Sequence, residues 1–295
     1  MSFLDEGIIP QIPIGNWFSD LVDWVQDNLQ GLLDLISTVL ESLNDWLSTG
    51  LNAVPALVMV VILAALAFVL RGWQLTVFTI VGMLVIQSMR YWKDAMDTLA
   101  LVIVSGSIAM IIAIPLGILA ARSGVASKVI KPVMDFMQTL PAFVYLLPAL
   151  FFFSVGVVPG IIATIIFSMP PGVRLTELGI RQVDSEMVEA GQAFGTAPSS
   201  ILTRIQIPLA MPTIMAGVNQ VIMLALSMVV IAGMVGAGGL GAPIYGAITQ
   251  LNVGKGFAGG LAVVILAIFL DRLSAGLGDR SAVARASRAT ARAGR

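Results

Sequence analysis

The sequence predicts an all-α integral membrane protein of about seven transmembrane helices, N-terminus outside and C-terminus inside, preceded by an amphipathic helix. Three observations predict it. Of 295 residues, 58% are hydrophobic and only 11% charged, with a mean hydropathy of +0.96, a composition foreign to soluble globular domains. The apolar residues gather into runs of the length a bilayer requires. The charges are segregated: residues 1 to 70 hold eight acids and no Lys or Arg, while residues 272 to 295 hold six Arg, and such asymmetry sets topology. The chain also has no Cys and no His, which closes disulfide frameworks, Cys/His zinc sites, Cys or Ser/His nucleophile pairs and imidazole proton relays.

Taken in order, the chain starts Met1-Ser2-Phe3-Leu4-Asp5-Glu6 and stays polar and acidic, so no cleaved signal is expected. From Asn16 to Leu47, apolar residues recur at Phe18, Val22, Val25, Leu29, Leu33, Ile36, Leu40, Leu43 and Leu47, steps of three or four that make one stripe on a helix. Asp20, Asp23, Asp27, Asp34, Glu41 and Asp45 take the rest. Too acidic to span, this segment (residues 1–50) reads as an amphipathic helix along the membrane surface or bracing the bundle.

Leu51 to Leu70 is nearly uncharged, and its roughly 20 residues at about 1.5 Å rise match a hydrocarbon core of roughly 30 Å. It is span one. Arg71-Gly72 turns into Trp73 to Met89, span two; after Arg90, Lys93, Asp94 and Asp97, an apolar stretch to Ala121 gives span three. Val133 to Phe153, broken by Pro141 and Pro148, and Val157 to Met169, closed by Pro170-Pro171, are spans four and five. Residues 172 to 207 form a polar interval, followed by spans six (Pro208 to Val235) and seven (Phe257 to Leu270). With the N-terminus outside, 13 of the 16 Lys and Arg fall on the cytoplasmic side, leaving outside only Arg90, Lys93 and Lys255. That is the bias expected of a correctly counted membrane protein.

The spans are almost bare of ionisable residues, which argues against an ion-coupled carrier. Asp135 and Asp271 sit beside Lys131 and Arg272 near cytoplasmic ends, so local pairing is expected there. No GxxxxGK[ST] loop occurs, so this chain does not bind ATP by that device. Energy would then come from a partner, entering through the polar interval. In Asp184-Ser185-Glu186-Met187-Val188-Glu189-Ala190-Gly191-Gln192-Ala193-Phe194-Gly195, Asp184 or Ser185 can cap a short helix, Gly195 can end it, and Thr196 and Pro198 can open the next. Ala190, Gly191 and Ala193 permit close approach, and Phe194 offers an apolar anchor.

The spacing Glu189-Ala190-Gly191, Gly195, Ile205-Gln206-Ile207-Pro208 resembles the EAA motif of bacterial ABC-importer permeases, E-A-A-x3-G-x9-I-x-L-P. Two positions differ: Gly191 stands for the second Ala and Ile207 for Leu. Residues 136–145, 165–176, 208–220 and Gly238-Gly239-Leu240-Gly241 look like the glycine betaine/proline betaine permease subfamily. The resemblance covers roughly residues 51 to 275; it does not extend to the basic tail, 276–295.

That resemblance implies a type I ABC-importer permease fold in the bacterial plasma (inner) membrane. It also implies a homodimer with a second copy of this chain, two ATPase subunits that hold ATP and Mg, and an extracytoplasmic substrate-binding protein. Cofactors, metal ions, nucleic acid and catalytic residues are not expected in this chain. Coupling to the ATPase would fall to Glu189, Ala190, Gly191, Ala193, Phe194, Gly195, Ile205 and Pro208. For the pore or gate the candidates are the polar or flexible positions Tyr145, Ser168, Met211, Met215, Asn219, Gln220 and Ser227, with Met223, Met228 and Met234 as further adaptable lining or core. The Gly233–Gly241 segment fits a close-packed re-entrant turn or a seat for the binding protein. The Arg-rich tail fits a solvated topology signal or an anionic-lipid contact. The alternative function is an ion-coupled carrier working without an ATPase.

Overall fold

The computed structural model describes residues 13 to 278, and among them every regular element is helical. The elements are α1 (Ile14–Ala53), α2 (Ala56–Arg71), α3 (Trp73–Ser88), α4 (Trp92–Arg122), α5 (Gly124–Thr139), α6 (Ala142–Phe153), α7 (Val157–Arg181), α8 (Ser185–Ala193), α9 (Pro198–Ile201), a π-helical turn (Leu202–Gln206), α10 (Ile207–Gly233), α11 (Gly241–Thr249) and α12 (Val253–Gly278). The expected basic tail lies almost wholly outside the described residues.

Four helical stretches are long and apolar enough to cross a membrane unaided: Trp92–Arg122, Val157–Arg181, Pro198–Gly233 and Val253–Gly278. Two more candidates are bent pairs, α1 with α2 at 106° and α5 with α6 at 97°. Length and composition thus support four to six spans where seven were expected; the one left over is expected span two, α3, whose 16 residues reach only about 24 Å. Pro55 and Pro141 stand at the two bends, directly before the second helix of each pair, where φ is preset and no backbone donor is lost. Span five is longer than expected. Pro170 and Pro171 deprive two carbonyls of their helical donors, yet α7 runs through them to Arg181. Both prolines are buried in the bundle, where packing holds a helix that proline alone would break.

α7 packs most closely against α10 and α4, and these three form the waist of the bundle. Small residues set the approach: a side-chain carbon at Gly172 would fall 2.9 Å from Ala113 Cβ, and one at Gly217 would fall 3.2 Å from Leu175 Cβ. Tertiary hydrogen bonds sort the helix ends into two faces. At one, Arg71 Nε donates to Arg272 O (3.3 Å) and Arg181 Nη2 to Ala120 O (2.8 Å). At the other, Tyr91 Oη donates to Lys255 O (3.5 Å), Leu240 N to Thr98 Oγ1 (2.8 Å) and Gly156 N to Val235 O (3.1 Å). The first face carries the expected cytoplasmic cations.

α1 lies against that second face, with Gln26 Nε2 donating to Phe151 O and both Ser48 Oγ and Asn52 Nδ2 donating to Asp97 Oδ1 (2.6 and 2.9 Å). The bundle side is most of the expected stripe: Val22 and Leu40 are buried and Val25, Leu33, Ile36 and Leu47 half-buried, whereas Phe18, Leu29 and Leu43, at its margins or at the kink near Leu29, are exposed. A second stripe, unforeseen, is exposed at Trp17, Leu21, Trp24, Leu32, Leu35, Val39 and Trp46. At 100° per residue the acids fall on a third side, so α1 has three faces where a single stripe was expected.

Candidate functional site

The polar interval does not begin as a loop, since residues 172–181 complete α7. Beyond them Asp184 caps α8, its Oδ1 accepting from Glu186 N at 3.0 Å, and Glu186 places a negative charge in the first turn, where the helix dipole favours it. The other end is closed by two backbone bonds, Gly195 N to Gln192 O (2.8 Å) and Thr196 N to Gly191 O (3.0 Å). That is a Schellman termination, and it needs a residue in the left-handed region; Gly195 supplies it at φ +71°.

Gly191 is the buried residue of α8. A side-chain carbon there would lie 3.1 Å from Ile205 Cδ1 and 3.3 Å from Ile201 Cγ1. The small residue of the motif and its distant isoleucine are therefore two sides of one contact, which folds α8 back onto the helix that follows. Pro208 explains the next irregularity. Lacking an N–H, it cannot bond to the Arg204 carbonyl, and the ladder shifts register, with Ile207 N bonding to Leu202 O, a π-helical turn. Ile205 and Pro208 are half-buried inside this corner, whereas Glu189, Ala190, Ala193 and Phe194 are exposed, Phe194 by 90%. Phe194 thus stands bare at the C-terminal end of a short, capped helix.

The pore candidates divide. Gln220 and Ser227 lie on an exposed stripe of α10 with Pro212, Ala216 and Met223, continued by Met234 just past its end, spaced as one helix face; the Ser227 hydroxyl donates to Met223 O at 3.0 Å. Met211 and Met215 are half-buried on another side, and Met215 Cβ comes within 3.0 Å of a carbon placed on Gly278. Met228 and Ser168 are fully buried. Tyr145 is buried too, its hydroxyl donating to Met137 O and its ring edge-to-face with Phe167 at 6.2 Å. Ser168 Oγ and Asn219 Oδ1 have no hydrogen-bond partner among the described residues.

Two further points concern the ends of the bundle. The expected local pairing of Asp135 with Lys131 is corrected: Asp135 pairs with Arg174 and Lys131 with Glu177, because i,i+4 neighbours on α5 find closer partners on α7. Asp271 does meet Arg272, at 3.8 Å. The Gly233–Gly241 segment is closely packed, with Gly236, Gly238 and Gly239 at positive φ and its backbone bonded to Thr98 and Gly156.

This is a transport permease of the binding-protein-dependent type: residues 113–282 match the family described as Binding-protein-dependent transport system inner membrane component, and the chain belongs to it, an integral membrane protein. Among its relatives, the Glycine betaine transport system permease protein OpuAB of Bacillus subtilis (strain 168) is 46% identical over 90% of this chain and 94% of its own. The Glycine betaine/proline betaine transport system permease protein ProW of Escherichia coli (strain K12) is 44% identical over 92% of this chain and 76% of its own. Among solved structures, the MetNI methionine ABC transporter in an inward-facing crystal form matches with a TM-score of 0.57 and 22% identity, covering 66% of this chain and 95% of that one. The shared fold is that of a type I ABC-importer permease.

Proposed function

We propose that this chain is the membrane-spanning subunit of an ATP-driven importer for glycine betaine or a closely related quaternary-ammonium solute, working as a homodimer with two ATPase subunits and an extracytoplasmic binding protein. The single observation that carries the coupling half of this reading is the rigid corner from Asp184 to Pro208, which presents Phe194 and Glu189 outward at the end of α7. ATP and Mg would be held by the ATPase. Closure of the ATPase pair would push α8 as a body, and because α7 and α10 enter and leave this corner directly, the push would reach the waist. The solute reading rests on the relatives' names, which include glycine betaine, proline betaine, carnitine and choline. Specificity would reside mainly in the binding protein, since quaternary ammonium ions are recognised by aromatic cages through cation–π attraction. Here the exposed stripe of α10 with Gln220, Met223 and Ser227 would face the second copy and line the path. α1 would lie at the outer membrane surface with its Trp stripe toward lipid, where Trp is enriched.

The test is purification of the tagged chain from its native membrane in mild detergent, beside a Gly195→Glu variant. Space is open at Gly195, so the variant should insert normally, yet its left-handed backbone and new charge should abolish retention of the ATPase. A parent that is folded and repeatedly retains no ATPase would count decisively against an importer subunit.

A further inference from the structure

At the inner end of the bundle a second charge cluster joins α5 to α7. α5 has little apolar burial: Ser127 and Met134 are its buried residues, whereas Val125, Val129, Val133 and Phe136 are largely exposed. Beside the contacts of Met134, Ile130 and Met137 with the core, charge ties it to α7. Glu177 of α7 is only 4% exposed, and its Oε1 receives the Ser127 hydroxyl at 2.8 Å, Lys131 Nζ at 3.3 Å and Arg181 Nε at 2.9 Å. A buried carboxylate must be paired in this way, and removing a partner is costly. Arg181 also donates to Ala120 O at the end of α4. One turn along, Arg174 of α7 pairs with Asp135 of α5.

The two rungs have opposite polarity. α5 presents a cation at 131 and an anion at 135; α7 answers with an anion at 177 and a cation at 174. Sliding α5 by one turn, about 5.4 Å, would bring Asp135 beside Glu177 in one direction or Lys131 beside Arg174 in the other, like charges in both cases. A cavity of about 360 Å³ lined by these side chains lies in the same cleft. Two rungs of opposite polarity therefore accompany the apolar contacts of Met134, Ile130 and Met137 at this seam.

We propose that Lys131–Glu177 and Asp135–Arg174 form a charge-coded register lock between α5 and α7, with Glu177 as its positioning residue, so that displacement of the coupling helix moves α7, α5 and the end of α4 as one body. α7 ends three residues before the α8 cap, and α5 bends into α6, so the lock sits where movement of α8 must divide. The inference rests on the importer reading for its consequence in transport, while the register itself is a property of this chain.

The experiment uses both. The chain has no Cys, so spin labels at Lys128→Cys and Gln182→Cys, both exposed, report the α5–α7 distance by pulsed electron resonance. The assembled importer in liposomes reports solute moved per ATP hydrolysed. Asp135→Arg should add a second distance population, displaced by an amount bounded by one turn, about 5.4 Å, and lower solute per ATP by about tenfold. Adding Arg174→Asp should restore the single population and bring transport to within about twofold of the parent. Glu177→Gln, which keeps shape and loses charge, should broaden the distance and lower coupling even if Asp135→Arg does not accumulate. Unchanged distances and ratios in Asp135→Arg or Glu177→Gln, or a swap that restores neither, would overturn the lock. A parent that assembles but moves no solute would instead refute the importer reading, leaving the distances to decide the register.

Discussion

At the bundle's packed crossings, a side-chain carbon added to Gly117 would come within 2.7 Å of Val173 O, and one added to Gly233 within 2.3 Å of Gly241 C. At Gly195, in the corner that closes α8, the same carbon would meet nothing within 4 Å. The two regions use one residue type for different physical reasons. In the crossings glycine permits backbones to touch; at the corner it permits a left-handed turn. Substitutions in the first region should therefore act on folding, and in the second on partner engagement with the fold intact.

The largest effect should come from Gly233→Val, because the atoms it strikes are backbone and have no rotamer to change. A loss of about 3 kcal/mol or more is expected, seen as collapse of monodisperse yield in detergent; a variant that purifies like the parent would break the comparison. Next comes Gly195→Ala, which should cost about 1 to 2 kcal/mol in the left-handed turn and weaken ATPase retention while insertion is unaffected. Gly195→Asn, which tolerates that conformation, should retain the ATPase, and equal loss in both would mean that the turn is not what matters. Asp184→Ala removes the cap at about 1 kcal/mol, so hydrogen exchange should quicken in the first turn of α8 and remain unchanged in α7. The smallest effect is expected for Gly191→Ala. A helix-propensity gain of about 0.8 to 1 kcal/mol meets a 3.1 Å approach to Ile205, and the unfolding midpoint should shift by about 2 °C or less.

Much of the corner was legible in the sequence because its determinants are local. Asp184, Gly195 and Pro208 each act within five residues of themselves, as cap, left-handed terminator and missing donor. The contact between Gly191 and Ile205 was not legible as a contact: spacing identifies both positions, but only the fold shows that one fills the space the other leaves. α1 illustrates a different gap. The sequence pattern of one apolar stripe leaves the remainder of the helix to the acidic residues, although Trp17, Leu21, Trp24, Leu32, Leu35, Val39 and Trp46 follow the same helical period on another side. Applying the period to them would have found the second stripe; only packing tells which of the two meets the bundle.

Length, hydropathy and charge asymmetry determined by themselves that this protein is helical and membrane-embedded, and the Glu189–Pro208 spacing, through the resemblance it carries, marked the segment proposed to couple, since bilayer thickness, backbone satisfaction and local capping act along the chain. Tertiary structure alone decided that α7 survives two buried prolines, that Glu177 meets Lys131 across 46 positions, and that the exposed stripe of α10 carries Gln220 and Ser227 while Ser168 and Tyr145 are enclosed. These depend on which helix faces meet, and helical periodicity defines faces without assigning their partners.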